Sequence, residues 1–304
     1  MDINYELRDM REKIDSLDNE LLALFKERML ISEKIAAIKA AENLSIVDEK
    51  REQQVIDKAA ATVAAEDDKW ALRAFMSNVL ILSKLKQHQR LRPGRKIIPP
   101  SATAVKGEKL TIAYQAGYND WGGYISSSLF PGAVLLKCDS IEKAAAAVKS
   151  GAAAYGVLPV ESLSEDIFAE HYEVLRKTGT FITAQCWTAA DQPQHKSCLT
   201  IIAADMMYDD SCDRVSLCFS APYKSGALNW ALQVFMLADI NVSNILIKPL
   251  GANANRYFVD IEAGLLTGKV REALQQAAAY AEDFNILGCY RCWPEKEKIG
   301  KHSP

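Results

Sequence analysis

Apolar residues recur at Leu7, Met10, Ile14, Leu17, Leu21, Leu24, Ile31, Ile35 and Ile38, with Glu, Lys, Arg and Asp between them. This three-four spacing predicts one long amphipathic helix. Neither Gly nor Pro occurs before Pro93, and the first break is Asn43-Leu44-Ser45, so the helix is expected to run from about Tyr5 to Ala41. At 1.5 Å per residue it is about 55 Å long. Ninety residues of its own chain cannot cover such a stripe, so a second copy of the chain is expected against part of it. Asp48 is placed to cap a second helix from Glu49 that fades around Ala65, and Asp67 or Asp68 to cap a third from about Trp70 to Gln89. Residues 1–92 therefore read as a helical domain. Residues 93–108, with Pro93, Gly94, Pro99, Pro100 and Gly107, read as a linker.

From Lys109 the period changes. Strand-like runs at Leu110–Tyr114, Ala133–Lys137, Tyr155–Val160, Phe181–Gln185 and Leu199–Ala203 alternate with helical patches at Ile141–Lys149 and Asp166–Lys177. This predicts a single α/β lobe over 109–205. Over 212–295 the order strand, helix, strand, strand, helix, strand is the ferredoxin-like α+β order, followed by a tail at 296–304. The fold class is thus multi-domain: all-α, then α/β, then α+β.

Length and composition fit this division. The chain has 304 residues, 49% hydrophobic and 25% charged, with a formal charge of -3. That balance lacks the basic excess of a general nucleic-acid binder. No apolar run approaches the roughly 20 residues of a membrane span, and the charged opening Met1–Arg11 is not that of a signal peptide, so a cytoplasmic location is expected. Seven scattered cysteines read as reduced thiols, and the Cys289-Tyr290-Arg291-Cys292 spacing, lacking a partner pair, is best explained by chance. No metal site or cofactor is expected.

The chemically informative irregularity is Arg28, which occupies the apolar stripe between Leu24 and Ile31. A guanidinium there needs an anionic partner or water. Lys39, three turns on, shares nearly the same face at about 16 Å, so both long side chains can converge on one small anion. Arg11 lies about 25 Å the other way and can join only from the neighbouring subunit of an antiparallel pair. Spacing alone leaves open the plainer reading that Arg28 snorkels or pairs with a Glu. The wider set Arg11, Arg28, Lys39, Asp48, Arg51, Glu52, Ser83 and Gln87, with Leu17-Asp18 and Leu21-Leu22, resembles the all-helical chorismate mutase family in order and approximate spacing. The resemblance implies an intertwined homodimer that converts chorismate to prephenate. It implies that Arg28 and the partner chain's copy of Arg11 hold the carboxylates, with Arg51 and Ser83 completing the grip. Lys39 and Gln87 would donate to the ether oxygen, and Glu52 and Asp48 would hold the ring hydroxyl and orient the cations. Taken singly, Asp48 reads as a helix cap and Ser83 as a helix-surface hydroxyl.

Ala154-Tyr155-Gly156-Val157-Leu158-Pro159-Val160-Glu161-Ser162 resembles the Asp-Tyr-Gly-Val-Val-Pro-Ile-Glu-Asn-Ser segment of prephenate dehydratases with its Asn missing. Their hydroxyl-bearing loop is replaced by Ala116-Gly117-Tyr118-Asn119-Asp120-Trp121-Gly122, and their Thr-Arg-Phe by Ser197-Cys198-Leu199. The middle is also about half the expected length, which implies a lobe that no longer dehydrates prephenate. Glu161, Asp120 and His171 read as surface or loop polarity. Gly226-Ala227-Leu228 and Leu287-Gly288-Cys289-Tyr290 resemble the ACT regulatory domain of the same bifunctional family. This implies an amino-acid effector near Gly226, Ala227, Leu228 and Asn244, although Lys248 stands where that family carries an Arg of different donor geometry. The rival expectations are a mutase-dehydratase that still makes phenylpyruvate and a non-catalytic metabolite sensor.

Overall fold

The computed structural model describes residues 3–91, 97–104, 110–115, 121–160, 165–188, 197–224 and 226–293. The chain divides into two compact units, Met1–Arg95 and Lys96–Pro304.

The first unit has three helices: α1 (Ile3–Ala41), α2 (Glu49–Ala60) and α3 (Glu66–Leu91), with α3 packed on both others. Asp48 caps α2, its Oδ1 accepting the Arg51 N–H at 3.0 Å. The helix stops earlier than expected, where the Thr62 hydroxyl donates to the Ala59 carbonyl and a β-branched pair, Thr62-Val63, follows. The third helix begins at Glu66, so Asp67 and Asp68 lie inside its first turn instead of capping it, where their charge meets the positive end of the helix dipole. Ala36, Ala60, Val79 and Leu85 are the buried apolar residues of this unit among those described. Along α1, however, Leu7, Met10, Ile14, Leu17, Leu21, Leu24 and Ile31 remain 48–64% exposed. An apolar stripe of this extent is not a finished surface.

The second unit holds β1 (Thr111–Gln115), α4 (Trp121–Leu129), β2 (Val134–Cys138), α5 (Ile141–Lys149), β3 (Tyr155–Val160), α6 (Glu165–Thr178), β4 (Phe181–Thr188), β5 (Ser197–Ala203), β6 (Arg214–Pro222), α7 (Asn229–Leu237), β7 (Val242–Pro249), β8 (Ala254–Ile261), α8 (Gly268–Tyr280) and β9 (Glu282–Trp293). The helix α4 was not anticipated, because its glycines read as loop. The sequence suggested separate α/β and α+β domains, yet one nine-stranded sheet runs through both, in the order β2-β1-β3-β5-β4-β9-β6-β8-β7. The join is the parallel pairing of β4 with β9. The last four strands pair antiparallel in the ferredoxin-like order.

Strand alternation gives the β6 residues two distinct faces. Phe219 packs on Trp230 of α7 at 5.0 Å between ring centroids, which puts Val215 and Leu217 on the helix-covered side. Ser216 and Cys218 face the other way, toward α6, which covers that side through contacts with β7 and β9. The carboxylate buried there is paired: Asp260 accepts from Ser216 at 2.6 Å, Tyr172 at 3.0 Å and Asn244 at 3.1 Å. Beside them Arg256 binds both carboxylate oxygens of Glu173 at 3.0 and 2.9 Å and Asp283 at 2.6 Å. The α6 helix is therefore fastened by hydrogen bonds and ion pairs to the strands on which it lies.

Candidate active site in the helical unit

Arg28 projects from mid-α1 toward α3, where its guanidinium donates to the Ser83 hydroxyl and, at 3.4 Å, to the Val79 carbonyl. Ser83 is buried and its own hydroxyl donates back to Val79 at 2.7 Å, leaving its lone pairs toward the cation. Burial lowers the Arg28 pKa from its ordinary value, yet among the described residues no carboxylate pairs with it. This removes the alternative of an internal Glu partner and leaves a cation held by neutral oxygens. Such a group is poised for an anion from outside.

Gln87, one turn beyond Ser83, is buried, and its Oε1 has no hydrogen-bond partner among the described residues. Buried amides without partners are uncommon and call for an explanation. Lys39 is half-buried near the end of α1 and donates to the Ile46 carbonyl at 2.6 Å in the connection to α2. Glu52, in the first turn of α2, pairs with Lys84 of α3 at 2.8 Å. Thus α3 supplies Ser83 and Gln87 along one face, α1 supplies Arg28 and Lys39, and α2 brings Glu52 against α3. Asp48 serves as the α2 cap. Arg51 and Arg11 are exposed, and one chain alone does not bring Arg11 to Arg28. Sequence reasoning missed Lys84, although its position three residues before Gln87 puts it on the same side of α3.

The other sequence-derived candidates are dispersed. Gly226 adopts φ +77°, where its missing Cβ matters, but the Ala227 and Asn229 N–H groups donate to Lys224 and Gly226 at 3.2 and 3.0 Å within the turn. Asn244 spends its amide on Asp260. Asp120, Glu161 and most of the Ala116–Gly122 segment lie outside the described residues. His171 is not surface polarity: it is buried on α6, and desolvation lowers its pKa to about 4. Its place between Phe168 and Leu175 on the apolar face was the missed signal. Cys289 pairs with Cys212, whose thiol donates to the Cys289 carbonyl at 3.6 Å, while Cys292 lies three strand residues on and hence toward the opposite face. Among the described residues no group of His, Cys, Asp or Glu is arranged to hold a metal.

Residues 10–89, which contain every element of this site, match the family "Chorismate mutase type II". The helical unit is a chorismate mutase domain. The chain as a whole is similar to the bifunctional chorismate mutase/prephenate dehydratase of Aquifex aeolicus, 23% identical over 375 aligned positions that take in 94% of this chain and 98% of the relative. It is likewise similar to the bifunctional enzyme of Enterobacter agglomerans, 26% identical over 373 aligned positions that take in 92% of this chain and 95% of that one. Because this chain has only 304 residues, at least 71 of the 375 positions stand opposite gaps in it. The second unit shares its fold with the prephenate dehydratase of Streptococcus mutans (21% identity, TM-score 0.51, 61% of this chain and all of that one). It also shares it with a quorum-quenching acylase (24%, TM-score 0.52, 62% and 98%). No described helix is long and apolar enough to cross a membrane.

Proposed function

We propose that the protein acts as a chorismate mutase, rearranging chorismate to prephenate for phenylalanine and tyrosine synthesis, with the helical unit working as an intertwined homodimer. The observation that carries this reading is Arg28, a half-buried cation held by Ser83 and Val79 and paired with no carboxylate among the described residues, on the same bundle as Lys39 and the buried Gln87.

The reaction needs no proton transfer and no covalent intermediate. An enzyme accelerates it by selecting the compact diaxial conformer and stabilising charge as the C–O bond breaks. In this reading Arg28 and the partner's Arg11 bind the two carboxylates, with Arg51 and Ser83 closing around them. The Lys39 ammonium and the Gln87 amide N–H donate to the ether oxygen as it becomes negative. Glu52 accepts the ring hydroxyl, while Asp48 holds the start of α2 that carries Glu52 and Arg51. The half-exposed α1 stripe is what the second protomer covers.

The second unit is proposed to be a dehydratase-derived lobe without dehydratase activity, joined to an ACT-type regulatory module that takes an amino acid at the Gly226 turn. The shortening relative to the bifunctional proteins supports this: a cleft between two lobes does not form from one. The second reading, a chain that still makes phenylpyruvate, is favoured by the near-complete coverage of the Aquifex relative. Incubation of purified protein with chorismate, with the product identified, tests both. Prephenate alone supports the proposal, phenylpyruvate favours the second reading, and unconsumed chorismate overturns both.

A further inference from the structure

Ion pairs of the helical unit are mostly exposed pairs between neighbours on one helix, such as Lys13 with Asp9 and Lys69 with Glu66. Exposed pairs of that kind contribute little. Lys84 differs on both counts. Its Nζ reaches Oε2 of Glu52 at 2.8 Å across a separation of 32 residues, joining α3 to α2. The two side chains are only 14% and 23% exposed, the most sheltered pair of the unit among the described residues. Removing one partner of a sheltered pair leaves the other charge uncompensated and free to move.

Lys84 also stands between Ser83, which holds Arg28, and Gln87. The geometry points to Lys84 as a positioning residue of the mutase: it grips one carboxylate oxygen of Glu52 and leaves the other aimed at the substrate's ring hydroxyl. This rests on the proposed function, in which Glu52 receives that hydroxyl. Oε1 of Glu52 accepts no hydrogen bond from a described residue, whereas Oε2 is occupied, so the pair fixes which oxygen is available. The ammonium acts through Glu52 and need not touch the substrate. Arginine at the same place can reach the carboxylate; methionine fills the volume without the charge.

The experiment is a cycle of Lys84→Met and Glu52→Gln, singly and together, with Lys84→Arg as the conservative variant, read as kcat and KM for chorismate beside the melting temperature of each protein. Lys84→Met is expected to lower kcat/KM roughly tenfold, the worth of one charge-assisted hydrogen bond. Lys84→Arg restores most of that loss. In the Glu52→Gln background Lys84→Met changes kcat/KM less than about twofold, because its target is already gone. A purely structural lysine lowers the melting temperature and leaves the same fold-loss in both backgrounds. Equal losses, or an unchanged kcat/KM in Lys84→Met, overturn the proposal while leaving the mutase reading intact. A wild-type chain without mutase turnover overturns the mutase reading and this proposal with it.

Discussion

His171 makes the stability of the second unit depend on pH in a defined window. Its ordinary pKa of 6.5 falls to about 4 because burial penalises the imidazolium, and the nearby carboxylates of Glu142 and Glu170 do not recover it. Among the described residues its Nδ1 has no hydrogen-bond partner, so none of them accepts the added proton. Above pH 6.5 the ring is neutral in folded and unfolded chains alike and contributes no pH dependence. Between 6.5 and about 4 the unfolded chain takes up a proton that the folded chain refuses, so stability falls as pH falls, and the penalty is complete below about 4. A separation of about 2.5 pH units corresponds to about 3 kcal/mol. Urea unfolding at pH 7.5 and 4.5, followed by tryptophan fluorescence in a Trp70→Phe background so that only the second unit reports, is the assay, with His171→Met as the reference that cannot titrate. Other acid-sensitive groups, Glu173 among them, are common to both proteins and cancel in the difference. Wild type is expected to lose about 2 to 3 kcal/mol more than His171→Met over that interval. Unfolding curves that stay parallel to within about 0.5 kcal/mol refute the reasoning.

Two further outcomes follow from the site and the packing. Arg28→Ala is expected to cost about 3 to 4 kcal/mol of transition-state stabilisation, read as a loss of two to three orders of magnitude in kcat. Arg11→Ala should be similarly impaired, and mixing the two variants should restore turnover, since a mixed dimer contains one complete site; mixtures that stay inactive contradict a shared site. Asp260→Ala strands the Ser216, Tyr172 and Asn244 donors. It should destabilise the second unit by about 3 kcal/mol or more in urea unfolding, whereas Glu272→Ala, at an exposed carboxylate within α8, should stay within about 0.5 kcal/mol.

What the sequence disclosed tracks periodicity. The three helices, the ferredoxin-like order and most strands followed from apolar spacing, because burial on one face imposes that spacing directly. The Asp48 cap was legible for the same local reason. Three features were not. The β4–β9 junction joins strands about a hundred residues apart through backbone hydrogen bonds, which leave no side-chain signature. The Glu52–Lys84 pair depends on how α2 leans on α3, which no spacing within either helix states. His171 was misjudged because its polarity outweighed the apolar face it shares with Phe168, Tyr172 and Leu175, although α6 fits helical spacing well. In the candidate site the residues were readable as a set, but the order in which they engage one another, Arg28 to Ser83 to Val79, came only from the fold.

The β4–β9 junction also makes the two halves of the nine-stranded sheet depend on each other. At that junction Gly288 pairs with Ile182 on one side and Ser216 on the other. A Cβ at 288 would lie 2.4 Å from the Ile182 carbonyl oxygen and 2.9 Å from its nitrogen. Backbone atoms inside a sheet cannot swing aside as a side-chain tip can, so any larger residue must part the two strands. That would break the pairing of Ala184 with Arg291 and of Gln185 with Cys292, and the 3.2 Å bond from Tyr290 to Gln185 with it. Without the lobe, β9 becomes an unprotected edge and the polar face covered by α6 loses its partners, a state prone to aggregation. The lobe is thus part of the ferredoxin-like half's own structure. Gly288→Ala should destabilise the second unit by about 3 kcal/mol or more, with amide exchange accelerating first in β4 and β9 and last in β7 and β8. Gly268→Ala, at the start of α8 where a Cβ meets nothing, is the control and should be neutral or slightly stabilising. If the two alanines behave alike, the sheet does not depend on this contact.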